Sequence, residues 1–107
     1  MMKATTMMLC VSVLMALAVP AQAAGDPKVG QTKTSMCAGC HGIPGYRTVY
    51  PETYQVPKLG GQHAQYLVDA LKAYKAGDRK HSTMRAIAGS LSEQDMNDLA
   101  AYYAEAK

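Results

Sequence analysis

The sequence has no phenylalanine and no tryptophan, so its seven tyrosines are its whole aromatic complement. Cysteine is scarce, with three in 107 residues, and two of these, Cys37 and Cys40, lie too close together to staple distant parts of a fold. A disulfide framework is thereby excluded. There is no run of Lys or Arg. The formal charge of +3, from 11 basic and 8 acidic residues, is too mild for a nucleic-acid binder. No internal repeat or low-complexity tract is present, and no stretch alternates convincingly as a strand. A length of 107 residues allows one domain and excludes a multidomain enzyme, a solenoid or a polytopic membrane protein. What is present is globular in composition, with 49% hydrophobic and 18% charged residues.

Residues 1–23 read as a secretory signal peptide. Lys3 supplies the positive start, and Met7 to Val19 is an apolar run of 13 residues, shorter than the ~20 a membrane span needs. Pro20 breaks the run, and Ala21-Gln22-Ala23 gives a small-x-small cleavage pattern. An uncleaved anchor is the alternative. Removing 23 of 107 residues leaves 84, takes Cys10 with the leader, and lowers the formal charge to +2 through loss of Lys3. The remaining domain, 24–107, is short of core. Exported domains of this size usually add disulfides, a metal or a cofactor.

Three helical segments are expected. The first runs from about Pro27 to Ala38, with Asp26 as N-cap and Pro27 in the first turn. The second runs from about Gln62 to Ala76, with Leu67, Ala70, Leu71 and Tyr74 on one face and Gly77 suited to the stop. The third follows Ser92, which with Asp95 approximates a capping box, and Met96, Leu99, Ala100 and Tyr103 form its apolar stripe. Between the first two lies a loop, about 42–61, rich in Gly and Pro. So long a loop makes sense if it wraps a bound group. A second loop, about 78–91, carries Asp78, Arg79, Lys80, His81 and Met84.

The chemistry is concentrated at Cys37-Ala38-Gly39-Cys40-His41, a C-x-x-C-H pattern that attaches c-type haem. Two thiols at this spacing, at the end of a helix, can each form a thioether with one haem vinyl group. His41 then stands beneath the porphyrin as an axial nitrogen, and Gly42 lets the chain turn away. Such maturation occurs outside the cytoplasm, in agreement with the leader. The alternatives are a zinc site from Cys37, Cys40 and two histidines among His41, His63 and His81, a thioredoxin-like thiol pair, and a chance match. Zinc motifs usually carry a second spaced pair, which His63 and His81 do not form. Thioredoxin-like motifs open a helix, whereas Gly42, Pro44 and Gly45 follow this one.

Of the remaining methionines, Met36 adjoins Cys37 and cannot reach across the haem, and Met96 belongs to an apolar stripe. Met84, 43 residues beyond His41, is the natural second axial ligand. Core packing is its plain alternative, and His81 is its rival. A His/Met pair raises the reduction potential.

At these residues the chain resembles the class I c-type cytochromes, in the branch of small bacterial cytochrome c-553 and the single domains of di-haem cytochrome c4. The likeness covers residues 26–107. It rests on Cys37-x-x-Cys40-His41-Gly42, Pro57-Lys58-Leu59-Gly60-Gly61-Gln62 with Tyr66-Leu67, Gly77-Asp78-Arg79, Met84, and Leu91-Ser92-x-x-Asp95 with Leu99-Ala100-Ala101-Tyr102-Tyr103. Gly60-Gly61, where the family often has Ala-Gly, is a departure. The resemblance implies an all-α class I cytochrome c fold, with three main helices and loops wrapped around one covalent haem c. It implies that Pro57 offers its carbonyl to the His41 ring and that Leu59 packs on the haem. Gly30 should meet the third helix at Tyr102 or Tyr103; the pattern favours Tyr102 and periodicity favours Tyr103 for the core. Arg79, Gln62 and Tyr46 are candidates for the propionates, with plain exposure as the alternative for each.

Only one C-x-x-C-H occurs in the chain. The reading is a periplasmic electron carrier, not an enzyme, with His41 and Met84 on the iron and with redox proteins as donor and acceptor. It would not be membrane-spanning once the leader is cleaved. A haem subunit of a larger periplasmic oxidoreductase is the alternative. A sensor or peroxidase-like enzyme would need a labile Met84. The segment 72–85, with Lys72, Lys75, Arg79, Lys80 and Arg85, is a candidate basic rim for acidic partners; a solvated face is the plain reading.

Overall fold

A computed structural model of the chain describes residues 25–50 and 52–106. The segment read as the signal peptide, with Cys10, lies outside them. Five helices and one small hairpin follow in order: α1 (Pro27–Thr32), α2 (Ser35–His41), β1 (Arg47–Thr48), β2 (Tyr54–Gln55), α3 (Ala64–Ala76), α4 (Ser82–Gly89) and α5 (Glu93–Glu105). The packed pairs are α1 with α5, α3 with α5, and α3 with α4.

Three expectations change. The single first helix is two. Asp26 caps α1 by accepting from the Lys28 N–H, but Thr32 Oγ1 donates to the Val29 carbonyl and Thr34 Oγ1 to that of Gln31. These hydroxyls compete with the helical ladder, and Lys33 leaves helical geometry between them. The loop 42–61 contains an antiparallel pair, Arg47 opposite Gln55 and Thr48 opposite Tyr54, too short to show alternation in sequence. It is entered through a tight turn in which Tyr46 N–H donates to Ile43 O and Gly45 takes a φ of 70°, a value glycine adopts without steric cost. The loop 78–91 contains α4, capped by His81.

The later helices follow the expected chemistry. Gly77 ends α3 in the left-handed conformation at φ 85°. At α5 the capping box is complete. Ser92 accepts from Asp95 N–H at 3.0 Å, and Asp95 accepts from Ser92 N–H at 2.8 Å.

The core is thin. Its buried apolar residues are Leu67, Val68, Ala88, Leu91, Met96, Leu99 and Ala100. They form two clusters, Leu67–Val68–Ala100 and Leu91–Met96–Leu99, and Tyr103 packs against both. Tyr102 has the other role. A Cβ on Gly30 would stand 2.0 Å from the Asp98 carbonyl oxygen and 2.9 Å from the Tyr102 Cβ. Tyr102 thus marks the α1–α5 crossing, while Tyr103 fills the middle.

Candidate functional site

Where a larger core would lie there is a cavity of about 640 Å³. It is partly open to solvent, and a cavity of this size with a mostly apolar lining is of the kind that holds a small-molecule group. Leu67, Ala70, Leu71, Leu99 and Ala100 form its apolar wall. Cys37, Cys40 and His41 line it from α2, and Met84 and Ile87 line it from α4. Pro57, Leu59, Gln62 and Arg79 line it as well.

His41 closes α2. Its Nδ1 lies 2.7 Å from the Pro57 carbonyl oxygen. A carbonyl only accepts, so Nδ1 carries the proton and Nε2 keeps its lone pair for a metal. The free thiols of Cys37 and Cys40 are half-buried, and burial pushes the Cys37 thiol up, partly offset by its hydrogen bond with Tyr103. Burial, with Cys37 close by, also pushes the Tyr103 hydroxyl well up. Both groups are therefore neutral on the cavity wall.

Met84 stands in the first turn of α4, half-buried and lining the cavity, and not in a loop. Met96 is only 2% exposed and belongs to the core. His81 also borders the cavity, but its Nδ1 accepts the backbone N–H of Met84 at 3.2 Å. His63 is exposed at the start of α3. Among the described residues, no group of three His, Cys, Asp or Glu is placed to hold a metal ion, which leaves the zinc alternative without a ligand set.

Leu59 packs against the Leu67 cluster. Arg79 is exposed, its guanidinium 4.5 Å above the Tyr74 ring. Gln62 lines the cavity, with its side-chain oxygen on the His63 N–H at 3.0 Å. Tyr46 is not among the lining residues; its backbone closes the hairpin against Ile43 and Val56. The sequence reading missed Thr48, Tyr54 and Gln55, which bring the hairpin over the cavity. A two-residue strand carries no periodic signal, so nothing in the sequence marked them.

Two cysteines, a histidine with a free Nε2, a methionine and apolar walls around one cavity are the donor set and enclosure that a covalently attached haem requires, and the residues fit it. Among the described residues no helix is long and apolar enough to cross a membrane.

A sequence model of the cytochrome c family matches residues 28–107. Cytochrome c4 of Pseudomonas aeruginosa is 40% identical over 101 residues, covering 92% of this chain and 48% of that protein. Cytochrome c4 of Stutzerimonas stutzeri is 38% identical over 108 residues, 91% of this chain and 50% of that protein. Cytochrome c-554(548) of Halomonas halodenitrificans is 40% identical over 85 residues, 75% of this chain and 95% of that protein. The chain thus spans about half the length of the two c4 proteins and nearly all of the c-554(548).

Proposed function

The chain belongs to the cytochrome c family, and on that premise we propose that it is an exported, periplasmic electron-transfer protein holding one haem c. Cys37 and Cys40 would carry the two thioethers, His41 and Met84 would bind the iron, and residues 1–23 would be removed on export. When bound, the haem would supply a one-electron ferric/ferrous couple. The observation that carries this reading is the shared cavity. His41, with Nε2 free, and Met84 line it from two helices, so two side chains able to bind iron share one cavity, which supports a doubly ligated haem and an electron carrier.

The protein's own residues do the rest. Pro57 fixes the tautomer and orientation of His41. Leu59, Leu67, Leu71, Ile87 and Leu99 keep water from the iron and, with the thioether, favour the uncharged ferrous centre. Arg79, Lys58 and Lys80 edge the cavity, where positive charge suits the propionates.

The partners are redox proteins that present acidic surfaces to this edge. Lys72 is tied to Glu93 at 2.9 Å and Lys75 to the Leu91 carbonyl, so the steering charge of segment 72–85 falls on Arg79, which lies over Tyr74, and on Lys80 and Arg85. None of these three forms an ion pair among the described residues.

A visible spectrum of protein matured in a periplasm tests the assignment. A sharp reduced α band establishes covalent haem, and a weak far-red charge-transfer band in the ferric state, lost in Met84→Ala, establishes the methionine. Haem without that band would overturn the His/Met assignment. Protein without haem would overturn the function.

A further inference from the structure

The His81 ring joins three elements. Its Nδ1 accepts the backbone N–H of Met84, at 3.2 Å, as the N-cap of α4. One face lies against Tyr54 of the hairpin, with ring centroids 4.5 Å apart and planes tilted by 46°. Tyr74 of α3 meets it edge-on at 6.4 Å, and the Arg79 guanidinium covers Tyr74. Tyr54 is itself anchored, its hydroxyl donating to Glu52 at 2.6 Å. The backbone N–H that the ring captures belongs to Met84, which lines the cavity.

A helix leaves its first N–H groups without internal partners, and a capping side chain satisfies one of them. Histidine is not among the usual caps. Here it succeeds because the tyrosines hold the ring, so little freedom is lost when the bond forms. With Nδ1 acting as acceptor, the neutral ring carries its proton on Nε2.

We infer that His81 is a positioning residue for Met84: clamped between Tyr54 and Tyr74, it fixes the first turn of α4 and thereby holds the Met84 thioether toward the haem iron. The inference rests on the assignment of Met84 as axial ligand. It gives the hairpin 47–55 a role, since that element is braced against the ligand's cap. The ring acts on the iron only through Met84.

The test uses mature haem-loaded protein and added imidazole, which competes with the thioether for ferric iron. Loss of a cap in His81→Ala weakens the hold on Met84 by the worth of a typical N-cap, so the apparent Kd for imidazole falls about fivefold. The far-red band is then lost at lower temperature than the helical signal. His81→Asn, whose side chain caps well, restores the imidazole Kd to within about twofold of wild type. Tyr54→Leu keeps the cap but loosens the ring, and shifts the Kd in the same direction by less. This variant serves if His81→Ala does not mature. An unchanged imidazole Kd in His81→Ala or Tyr54→Leu, with the far-red band present in wild type, overturns the positioning role alone. So does an Asn variant as impaired as Ala. Absence of the far-red band from the wild-type protein overturns the axial assignment and the positioning role together.

Discussion

The Lys33 ammonium, just past the end of α1, lies 2.7 Å from Oδ2 of Asp98 on α5, a carboxylate whose side chain is 4% exposed. Oδ1 of the same aspartate accepts the Asp26 N–H at 2.8 Å and the Gln94 amide at 2.9 Å. One buried side chain therefore ties both ends of α1 to the last helix. Asp98→Ala should destabilise the protein by about 2–3 kcal/mol, because it orphans a backbone N–H and strips Lys33 of its better-shielded partner. Asp98→Asn, which keeps an acceptor for Asp26, should cost less. Chemical denaturation of the haem-loaded proteins measures both.

The acid limb of stability should involve the same network. Lys33, and after it Ser92, hold the Asp95 carboxyl down at about 2 against an unperturbed 3.8, and Lys33 also lowers Asp98. A folded-state pKa below the unfolded one gives stability that is present above pH 3.8 and lost as pH falls through about 2. Lys33 is raised by Asp95 and then Asp98 from 10.5, so its share is present below that pH and lost as pH climbs through the raised value. The denaturation midpoint of Asp95→Asn, followed from pH 5 to 2, should fall less steeply than that of the wild type.

Gly30 is where α1 crosses α5. A methyl group there would meet the Asp98 carbonyl oxygen at 2.0 Å, and backbone cannot yield as a side-chain tip can. Gly30→Ala should cost about 3 kcal/mol or more. Gly89→Ala, in α4 with nothing within 4 Å of the added carbon, should be neutral or stabilise by up to about 1 kcal/mol. Equal effects of the two substitutions on thermal unfolding would contradict the close crossing.

Charge reversal at Lys80 and Arg85 should slow electron transfer to an acidic partner about tenfold at low ionic strength and flatten its dependence on salt. Reversal of Lys72, already paired with Glu93, should change the rate less. Stopped-flow rates against ionic strength separate the two.

The site was legible wherever its chemistry is written in local spacing. C-x-x-C-H fixes two thiols and a nitrogen within five residues, and the structure places them on one helix end facing the cavity. The capping box of α5 and the glycine stop of α3 were readable for the same reason, since each is a backbone need met by a side chain within a few positions. Met84 was named as a candidate but assigned to a loop, whereas it stands in α4. An eight-residue helix shows barely two apolar turns, and a histidine cap lies outside the usual signals.

The sequence by itself determined the kind of group this domain is built to hold, because haem attachment is a matter of residue types at fixed short spacing, and it determined that so small a core needs such a group. Only the tertiary structure decided what braces it. That Lys33 finds Asp98 across 65 residues, that Tyr102 serves the crossing while Tyr103 fills the core, and that Tyr54 of a two-residue strand backs the cap of Met84 are long-range pairings. Each depends on how whole helices pack, and a single exposed-looking Lys or Tyr carries no local mark of the partner it will meet.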